Sequence, residues 1–322
     1  MGLGEVITVA HTKGGTGKSS LASNLAYGLS ERGFRVLAID LDGQGSLGAH
    51  LGGTHVRTET TASGTTWALD SGAVLAGTCT IDDAVIHDVY PGLSIIPSSE
   101  MSLDSAITAM SRNGALSQLR LYELLDRARL DWDMVIIDTP GHQGMALATA
   151  LVASTGILIP VVPEAGPVAE LRTVLNGISS LSESTLPLEV YGIIRLRVGG
   201  NSNYRKIAED QARSITAEYR VPLMRNKIPE DARFGEAQLL GVPVRAHDRR
   251  ARSAIAYKYL IEELVERRGW HAPIALDDDR VPVSVSVPVS ALDATVGEAA
   301  VVVAPGPADA EIAESDSAPV PA

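Results

Sequence analysis

A glycine-rich run near the start of the chain, residues 13–20 (KGGTGKSS), combines residue types that bind phosphate. Glycines let the backbone curl so that its N–H groups point at phosphate oxygens, and the N-terminus of a following helix adds positive partial charge. In such a loop Lys18 can neutralise β- and γ-phosphates, and the hydroxyl of Ser19 can ligate Mg²⁺. We predict that the phosphates of a nucleotide contact Lys13, Gly14, Gly15, Thr16, Gly17, Lys18, Ser19 and Ser20.

Acidic residues stand at the ends of two later apolar segments. Residues 35–40 (RVLAID) lead into Asp40 and Asp42, and residues 133–138 (DMVIID) end at Asp138. Ligands of open parallel sheets bind outside the carboxyl ends of the strands, so an acid at the tip of a strand faces the ligand. Asp138 matches the carboxylate that holds Mg²⁺ through water in phosphoryl-transfer proteins, and we predict that it lies at a magnesium site.

The segment that begins at Asp138 (DTPGH) is also typical of the switch of translation GTPases. A guanine-specific site of that kind would need an Asn-Lys-x-Asp sequence. The nearest candidate, residues 226–229 (NKIP), lacks the aspartate. The sequence therefore favours ATP over GTP.

These residues need strands that end at one edge of a sheet, and the pattern of apolar residues predicts such strands. Apolar runs alternate with helical patterns up to about residue 270. The predicted strands are residues 5–11, 35–40, 93–97, 133–138 and 156–162, with weaker ones at 190–196 and 222–228. The predicted helices are residues 18–32, 116–130 and 250–270. This order predicts an α/β P-loop NTPase with a mostly parallel central sheet and helices on both faces.

Composition divides the chain into two parts. We predict that residues 1–270 form one P-loop domain and that residues 271–322, rich in Pro, Ala and Val, form a disordered acidic tail. Nine acidic residues and one arginine give the tail −8 of the formal net charge of −12. The remaining body is only modestly acidic, so any contact with nucleic acid requires a local basic patch. Residues 54–77, rich in Thr, Ser and Gly, are predicted to be an irregular loop or insertion.

No sequence feature predicts export, a membrane span or a cysteine-bound metal cluster. The N-terminus lacks a basic region followed by a long apolar stretch, and we find no apolar run of about 18 residues in the predicted domain. The single cysteine, Cys79, cannot form an intrachain disulfide or a cluster by itself, and the seven histidines show no ligand spacing. We predict a cytoplasmic protein that does not contact membranes.

The phosphate loop and the segments after it resemble those of the ParA/MinD family of deviant Walker A ATPases, most of all its small ParA (plasmid and chromosome partitioning) members. The first glycine of the usual GxxxxGK[ST] motif is replaced by His11 or Thr12, and the loop carries an additional lysine, Lys13. The family's D-x-D-P-Q-G is matched by residues 40–45, with Gly43 in place of proline. Its D-T-P-P is matched from Asp138, with a glycine at position 141. The resemblance covers nearly all of residues 5–270.

The resemblance implies roles for individual residues. Lys13 would reach the partner's nucleotide across an ATP sandwich dimer, and together with Lys18 and Asp42 it would be catalytic. Asp42 would position or activate the attacking water, and Asp40 would contribute to the Mg²⁺ shell beside Ser19. Residues 228–242 are similar to the family's I-P-x-x-x-R-x-x-E-A-x-x-x-G. This match implies that Pro229 lies against adenine and that Arg233 faces DNA.

The resemblance also implies a function. By this resemblance the chain would be an ATPase that is slow unless stimulated. Its ATP-bound homodimer would bind non-specific DNA on the nucleoid. A ParB-like centromere-binding protein would stimulate hydrolysis and so release the dimer. Candidate DNA contacts cluster in the last third of the chain, although each alone is typical of a solvated surface charge. They are Arg213, Arg220, Arg225, Lys227, Arg233 and Arg245.

Other functions use the same fold, and the sequence weighs differently on each. A ParA-like ATPase could position a non-DNA protein cargo through a cargo adaptor. A metabolic P-loop enzyme, such as an amidoligase relative, would need a substrate domain for which the chain has no room. A MinD-like membrane regulator would end in a basic amphipathic helix, whereas this chain ends acidic, and a nitrogenase-type iron protein needs cluster cysteines.

Overall fold

The computed structural model describes residues 4–53, 56–60, 66–128, 131–184, 188–199 and 203–272. The chain divides into two compact units, residues 1–280 and 281–322, and every described residue belongs to the first. The predicted tail, residues 271–322, lies outside the described residues from position 273 on. In the described ranges, no helix is both long enough and apolar enough to cross a membrane.

Among the described residues, nine strands form two sheets. They are β1 (Glu5–Val9), β2 (Val36–Asp40), β3 (Arg57–Thr60), β4 (Thr66–Leu69), β5 (Ile86–Tyr90), β6 (Leu93–Ile96), β7 (Met134–Asp138), β8 (Gly156–Val161) and β9 (Glu189–Arg195). The central sheet has the order β5-β6-β2-β7-β1-β8-β9, and β3 pairs with β4 in a separate antiparallel hairpin. All neighbours in the central sheet are parallel except β5 and β6. The mostly parallel sheet is confirmed.

Twelve α-helices connect and cover the strands in the described ranges. They are α1 (Lys18–Ser30), α2 (Ser46–Ala49), α3 (Ser71–Ala76), α4 (Ile81–Ala84), α5 (Glu100–Arg112), α6 (Arg120–Ala128), α7 (Met145–Val152), α8 (Ala165–Ser184), α9 (Asn203–Glu218), α10 (Ala232–Leu239), α11 (Val244–His247) and α12 (Arg252–Arg268). A 3-10 helix at Ala115–Leu119 precedes α6, so the predicted helix at 116–130 begins with a tighter turn.

Helices cover both faces of the sheet because successive strand residues point to opposite sides. Along β2, Val36 and Ala38 pack in the core that contains α1 and α12, whereas Leu37 and Ile39 pack in the core that contains α5 and α6. A third core, with α8 and α9, covers β8 and β9 on the same side as the second. The central strands are buried along almost their whole length, which is why they read as continuous apolar runs.

Two predictions about loops and strands are wrong. Residues 54–77 are not irregular, because the described part of this segment contains the β3–β4 hairpin and α3. Threonine favours strands, and Asp70 starts α3 by accepting a hydrogen bond from the Ala73 N–H at 2.9 Å. Residues 222–228 form no strand but only an isolated bridge through Leu223. Pro222 cannot donate to a ladder, which limits the pairing there.

Candidate functional site

The run of residues 13–20 forms the turn from β1 into α1. Gly15 and Gly17 have φ values of 75° and 88°, a left-handed conformation that favours glycine. The helix α1 begins at Lys18, so the N–H groups at its start face the same space as the curled loop. The sequence therefore builds a concave backbone surface of the kind that binds phosphate.

Lys18 points back into this loop and is buried. Its Nζ donates a hydrogen bond to the carbonyl oxygen of Lys13 at 3.4 Å. Burial lowers the pKa of Lys18, and the charges of Asp138 and Asp42 partly offset this effect. The cation is therefore held close to two carboxylates in a site shielded from water.

Asp40 and Asp138 are adjacent because β2 and β7 are neighbours in a register that pairs these two residues. Both side chains are fully buried. Asp40 accepts hydrogen bonds from the N–H groups of Asp42 at 2.9 Å and Leu47 at 3.0 Å. Burial and the charge of Asp138 nevertheless raise the pKa of Asp40 well above its ordinary value. Two neighbouring strands thus bring two acids to one point on the carboxyl edge.

The carboxylate of Asp138 accepts fewer hydrogen bonds than that of Asp40. Its Oδ1 accepts a hydrogen bond from the Thr139 N–H at 3.1 Å, whereas its Oδ2 is buried without a hydrogen-bond partner. Burial raises the pKa of Asp138, although the nearby hydroxyl of Ser19 and the charge of Lys18 oppose the rise. An unpartnered buried carboxylate oxygen beside a hydroxyl is a free ligand position for a cation.

These residues fit a magnesium ion. The oxygens of Ser19, Asp40 and Asp138 are the hard donors that Mg²⁺ prefers, and one lysine does not compensate two buried acids. Across the described residues, no group of three or more His, Cys, Asp or Glu side chains could hold a metal by itself.

Asp42 lies at the rim of the same site. It is half-buried at the start of the loop from β2 to α2, where its Oδ1 accepts the Gln44 N–H at 3.2 Å. Its charge acts on Lys18, Asp40 and Asp138, so it lies close to all three. A carboxylate in this position is accessible to water and lies beside the buried cation and the two buried acids.

Lys13 and Pro229 lie at two sides of the phosphate loop. The Lys13 side chain is exposed and its ammonium group rests on Gly166 at the start of α8, where a β-carbon would collide with it. Pro229 is half-buried and bridges to Val198, two residues beyond Leu196. A β-carbon on Gly17 would lie 2.7 Å from Leu196, so this segment borders the phosphate loop.

Three of the predicted DNA contacts, Arg225, Lys227 and Arg245, pair with carboxylates. Arg213 lies on α9 and Arg220 just after it, whereas Arg225 pairs with Glu263 at 3.5 Å. Lys227 pairs with Glu209 at 3.6 Å. Arg245 pairs with Glu31 at 2.6 Å. Most of these cations are therefore neutralised locally, which weakens the grouping that their sequence positions suggest.

Arg233 pairs with Asp248 at 3.8 Å, in the turn that carries three further arginines that the sequence reading did not select. Asp231 precedes α10 and accepts hydrogen bonds from the N–H at 2.9 Å and hydroxyl at 3.0 Å of Ser253, which ties the starts of α10 and α12 together. We refer to the resulting patch as the basic surface, and it consists of Arg233, Arg249, Arg250 and Arg252. The sequence contains these arginines in the run DRRAR (residues 248–252). This run overlaps the start of the predicted closing helix, which was expected to pack on the edge of the sheet.

The basic surface is only partly neutralised. Arg233 pairs with Glu236 at 2.6 Å, and Arg249 pairs with Glu31 at 2.8 Å. Arg252 donates a hydrogen bond to the carbonyl oxygen of Glu230 at 3.1 Å. For Arg250 and Arg252, no carboxylate of a described residue lies within ion-pair distance, so both guanidinium groups are available to an anion.

Comparisons with known proteins agree with this architecture. A family model described as an AAA domain matches residues 4–188. The chromosome partitioning protein ParA of Caulobacter vibrioides is 27% identical over 268 residues, which cover 81% of this chain and 94% of that protein. The structure of MinD from Pyrococcus horikoshii, complexed with Mg-ADP, is 25% identical with a TM-score of 0.65 and covers 84% of this chain and 99% of its own.

Two further structures share the fold. The Cyanothece McdA(D38A)–ATP complex has a TM-score of 0.71 at 21% identity and covers 85% of this chain and 100% of its own. Cobyrinic acid a,c-diamide synthase from Mycobacterium smegmatis, with bound ATP analog and magnesium, has a TM-score of 0.65 at 23% identity, covering 85% and 98%.

The matched family model spans more than half of the chain, and the sheet order, the phosphate loop and the paired strand-tip acids agree with it. The chain belongs to this AAA domain family, as a P-loop ATPase of the ParA/MinD type.

Proposed function

We propose that this chain is a DNA-partitioning ATPase that binds Mg-ATP, dimerises on it and, as a dimer, binds non-specific DNA. A ParB-like centromere-binding protein would stimulate hydrolysis and release it from the nucleoid. The observation that supports the ATPase part is the buried pair Asp40 and Asp138 beside Lys18, a set of charges that a nucleotide and its cation would complete.

Each residue of the site has a proposed role in nucleotide binding. The backbone of residues 14–17 and the ammonium group of Lys18 hold the phosphates, and Ser19, Asp40 and Asp138 hold the magnesium shell. Bound Mg²⁺ supplies charge neutralisation at the β- and γ-phosphate oxygens. Asp42 orients the attacking water from the rim of the site, and Pro229 borders the adenine.

Lys13 has a proposed role in the dimer. Its ammonium group lies outside the curl of its own loop, against Gly166, and is exposed. From there it can be presented to a nucleotide held by a second copy. A cation supplied by the partner stabilises negative charge only when the dimer has formed, which couples hydrolysis to assembly.

The basic surface supports the DNA part of the proposal. Four arginines lie in or next to the starts of α10 and α12, and two of them, Arg250 and Arg252, have no carboxylate partner in the described structure. Guanidinium groups bind phosphate well, and backbone phosphates carry no sequence information, so such a surface binds duplexes of any sequence. Dimerisation would double the number of phosphate contacts and therefore steepen the salt dependence.

Binding to a non-specific DNA duplex at low salt, with ATP, with ADP and without nucleotide, tests this proposal. We expect binding with ATP only, and loss of binding in Lys18→Ala. The double variant Arg250→Ala/Arg252→Ala should lower DNA affinity about tenfold or more without changing nucleotide affinity. Arg172→Ala is the matched control, because Arg172 is exposed but pairs with Glu218 on α9. Unchanged DNA affinity in the double variant contradicts the assigned surface.

The alternative function is the positioning of a non-DNA protein cargo. The acidic body and the carboxylates beside Arg233 and Arg249 favour it, because both weaken binding to phosphate. If ATP drives dimerisation but the dimer does not bind DNA at low salt, this alternative replaces the DNA-partitioning proposal.

A further inference from the structure

Glu263 on α12 is a buried carboxylate that binds the backbone of a distant segment. Its Oε1 accepts the N–H of Arg225 and its Oε2 accepts the N–H of Asn226, both at 2.9 Å. Oε2 also accepts the side-chain amide of Asn226 at 2.9 Å, and Arg267 pairs with Oε1 at 2.7 Å. Burial alone would raise the pKa of Glu263, but these hydrogen bonds and the charge of Arg267 outweigh it and lower the pKa. The carboxylate is therefore held charged against residues 225 and 226.

Arg195 binds the same segment through its carbonyl groups. This arginine is buried at the end of β9, and its Nη2 donates hydrogen bonds to the carbonyl oxygens of Met224 at 2.8 Å and Arg225 at 3.2 Å. A buried anion thus satisfies backbone donors, and a buried cation satisfies backbone acceptors, in a segment that is neither helix nor strand. Two opposite side-chain charges fix its backbone.

We refer to residues 224–229 as the clamped segment, and it lies beside the phosphate loop. The Ile228 N–H donates a hydrogen bond to the carbonyl oxygen of Arg195 at 2.9 Å. The next residue, Leu196, is so close to the phosphate loop that a β-carbon on Gly17 would lie 2.7 Å from its side chain. The clamped segment ends at the proline that is proposed to border the adenine. Its position therefore sets where a base can lie relative to the phosphates.

The helix that carries Glu263 is also packed on α1, which begins at the phosphate loop. A β-carbon on Gly28 of α1 would collide with the side chain of Ile261 of α12, so the two helices are in close contact. Leu25 of α1 and Leu260 of α12 belong to the same buried core. Because Ile261 and Glu263 are two residues apart on one helix, the carboxylate is held at a fixed distance from the helix that starts at the phosphates.

We propose that Glu263 is a positioning residue for the nucleobase, which holds the clamped segment at the distance from the phosphate loop that a bound adenine nucleotide spans. The inference rests on the proposed binding of Mg-ATP and does not depend on DNA. The phosphates contact residues 14–19, whereas the base lies against the segment that Glu263 holds. Loss of the carboxylate should therefore weaken binding of the nucleoside part and leave the affinity for the phosphates in place.

Equilibrium titration with a non-hydrolysable ATP analogue, with ADP and with inorganic tripolyphosphate, each with Mg²⁺, tests the inference without measuring turnover. Tripolyphosphate has the phosphates but no nucleoside. Glu263→Gln keeps the size of the side chain, but an amide has one acceptor oxygen and cannot accept both backbone N–H groups as the carboxylate does. The affinity for both nucleotides should fall about tenfold to thirtyfold, because backbone donors lose a charged acceptor. The affinity for tripolyphosphate should change less than about threefold.

Glu262→Gln is the matched control, because Glu262 is the neighbouring residue on α12 and pairs with Arg32 at 3.0 Å nearer the surface. We expect the parent's affinities for all three ligands in this variant. Asn226→Ala removes only the side-chain hydrogen bond to Glu263 and should lower the affinity for both nucleotides about threefold to fivefold. Thermal melting without ligand shows whether each variant folds, and if Glu263→Gln does not, Asn226→Ala decides the question.

An equal loss of affinity for nucleotides and tripolyphosphate overturns the inference, because Glu263 would then shape the whole site. Unchanged nucleotide affinity in a folded Glu263→Gln also overturns it. If the unsubstituted protein binds nucleotides no more tightly than tripolyphosphate, the base has no site beside the clamped segment, and the inference fails while Mg-ATP binding stands. If the unsubstituted protein binds none of the three ligands, the proposed function fails and this inference with it.

Discussion

Carboxylates lie at both ends of the central sheet, and the chain surrounds them in opposite ways. At the amino end, Glu5 begins β1 and is half-buried. It accepts hydrogen bonds from the hydroxyls of Thr155 at 2.6 Å and Tyr191 at 2.7 Å and from the indole N–H of Trp270 at 3.1 Å. Burial alone would raise the pKa of Glu5, but these hydrogen bonds and the charge of Arg268 outweigh it and lower the pKa.

At the carboxyl end, Asp40 and Asp138 are more deeply buried and have fewer donors. Their pKa values are raised, because burial and the charge of a neighbouring acid, Asp138 for Asp40 and Asp42 for Asp138, exceed the effect of the few hydrogen bonds that they accept. Both ends of the sheet place carboxylates on the same strands, so the opposite pKa shifts come from the side chains that surround each carboxylate and not from the fold itself. The amino end is completed by the chain itself, and the carboxyl end needs a ligand to complete it.

The largest effect that separates the two ends is expected from Lys18→Ala. Lys18 is a buried cation at the site, so its removal should lower nucleotide affinity about a hundredfold, as the loss of a charge-assisted contact does. Titration with a fluorescent nucleotide measures this. The control is Lys258→Ala on α12, an exposed lysine far along the chain from the phosphate loop, which should bind as the parent does. Intact binding by Lys18→Ala would contradict the assignment of the phosphate loop.

At the amino end, Glu5→Ala should change stability instead. Three donors would lose their acceptor at once, which costs about 2–4 kcal/mol of the free energy of unfolding. Chemical denaturation with and without nucleotide measures this, and nucleotide affinity should be unchanged. A loss of affinity as large as that of Lys18→Ala would mean that the two ends are not independent.

The pH dependence of the same residue follows from its lowered pKa. The folded state holds Glu5 charged more firmly than the unfolded state, whose value is near 4.5. Its contribution to stability is therefore present above pH 4.5 and is lost as the pH falls through the folded-state pKa. Glu5→Gln should lower stability at pH 7 and make less difference at pH 3. An equal difference at both values would show that the charge is not what the donors stabilise.

At the carboxyl end, removing a carboxylate charge should raise the free energy of unfolding, whereas removing the charge of Glu5 should lower it. Asp138→Asn removes a buried charge that repels Asp40, so the free energy of unfolding without Mg²⁺ should rise by about 1–2 kcal/mol. Denaturation in the presence of a chelator measures this. Asp133→Asn is the control, because Asp133 pairs with Arg35 at 2.8 Å and its neutralisation should give no gain. A less stable Asp138→Asn would mean that the carboxylate is already satisfied without a ligand.

The carboxyl end could be predicted from the sequence because its signals are local. The glycines and lysines of the phosphate loop are consecutive, and each acid stands at the end of an apolar run. The parallel sheet then brings these separate tips together, as continuous apolar strands require. The sequence could not show that Gly141 approaches Gly14, because that contact joins positions 127 residues apart.

The parts that sequence reasoning missed depend on contacts between distant positions. Asp70 accepts hydrogen bonds from Ser99 at 2.5 Å and Ser102 at 2.7 Å, which holds α3 on α5 within a segment that composition alone marks as a loop. The basic surface combines residues of α10 and of the segment that enters α12, whose starts are linked by the hydrogen bond from Ser253 to Asp231. The partners of Glu5 lie 150 to 265 residues away, so no pattern along the chain announces them.

The smallest expected effect concerns Arg268, which lies beside the residues that donate hydrogen bonds to Glu5. The guanidinium group of Arg268 lies 3.8 Å from the centre of the Tyr191 ring and pairs with Glu189 at 2.8 Å. Arg268→Ala should lower the free energy of unfolding by about 0.5–1 kcal/mol, because a cation–π contact and a half-exposed ion pair each contribute little. Arg268→Lys should recover part of it, since lysine keeps the charge but not the planar contact. A loss as large as that of Glu5→Ala would make Arg268, rather than the three hydrogen bonds, the main support of the carboxylate at this end of the sheet.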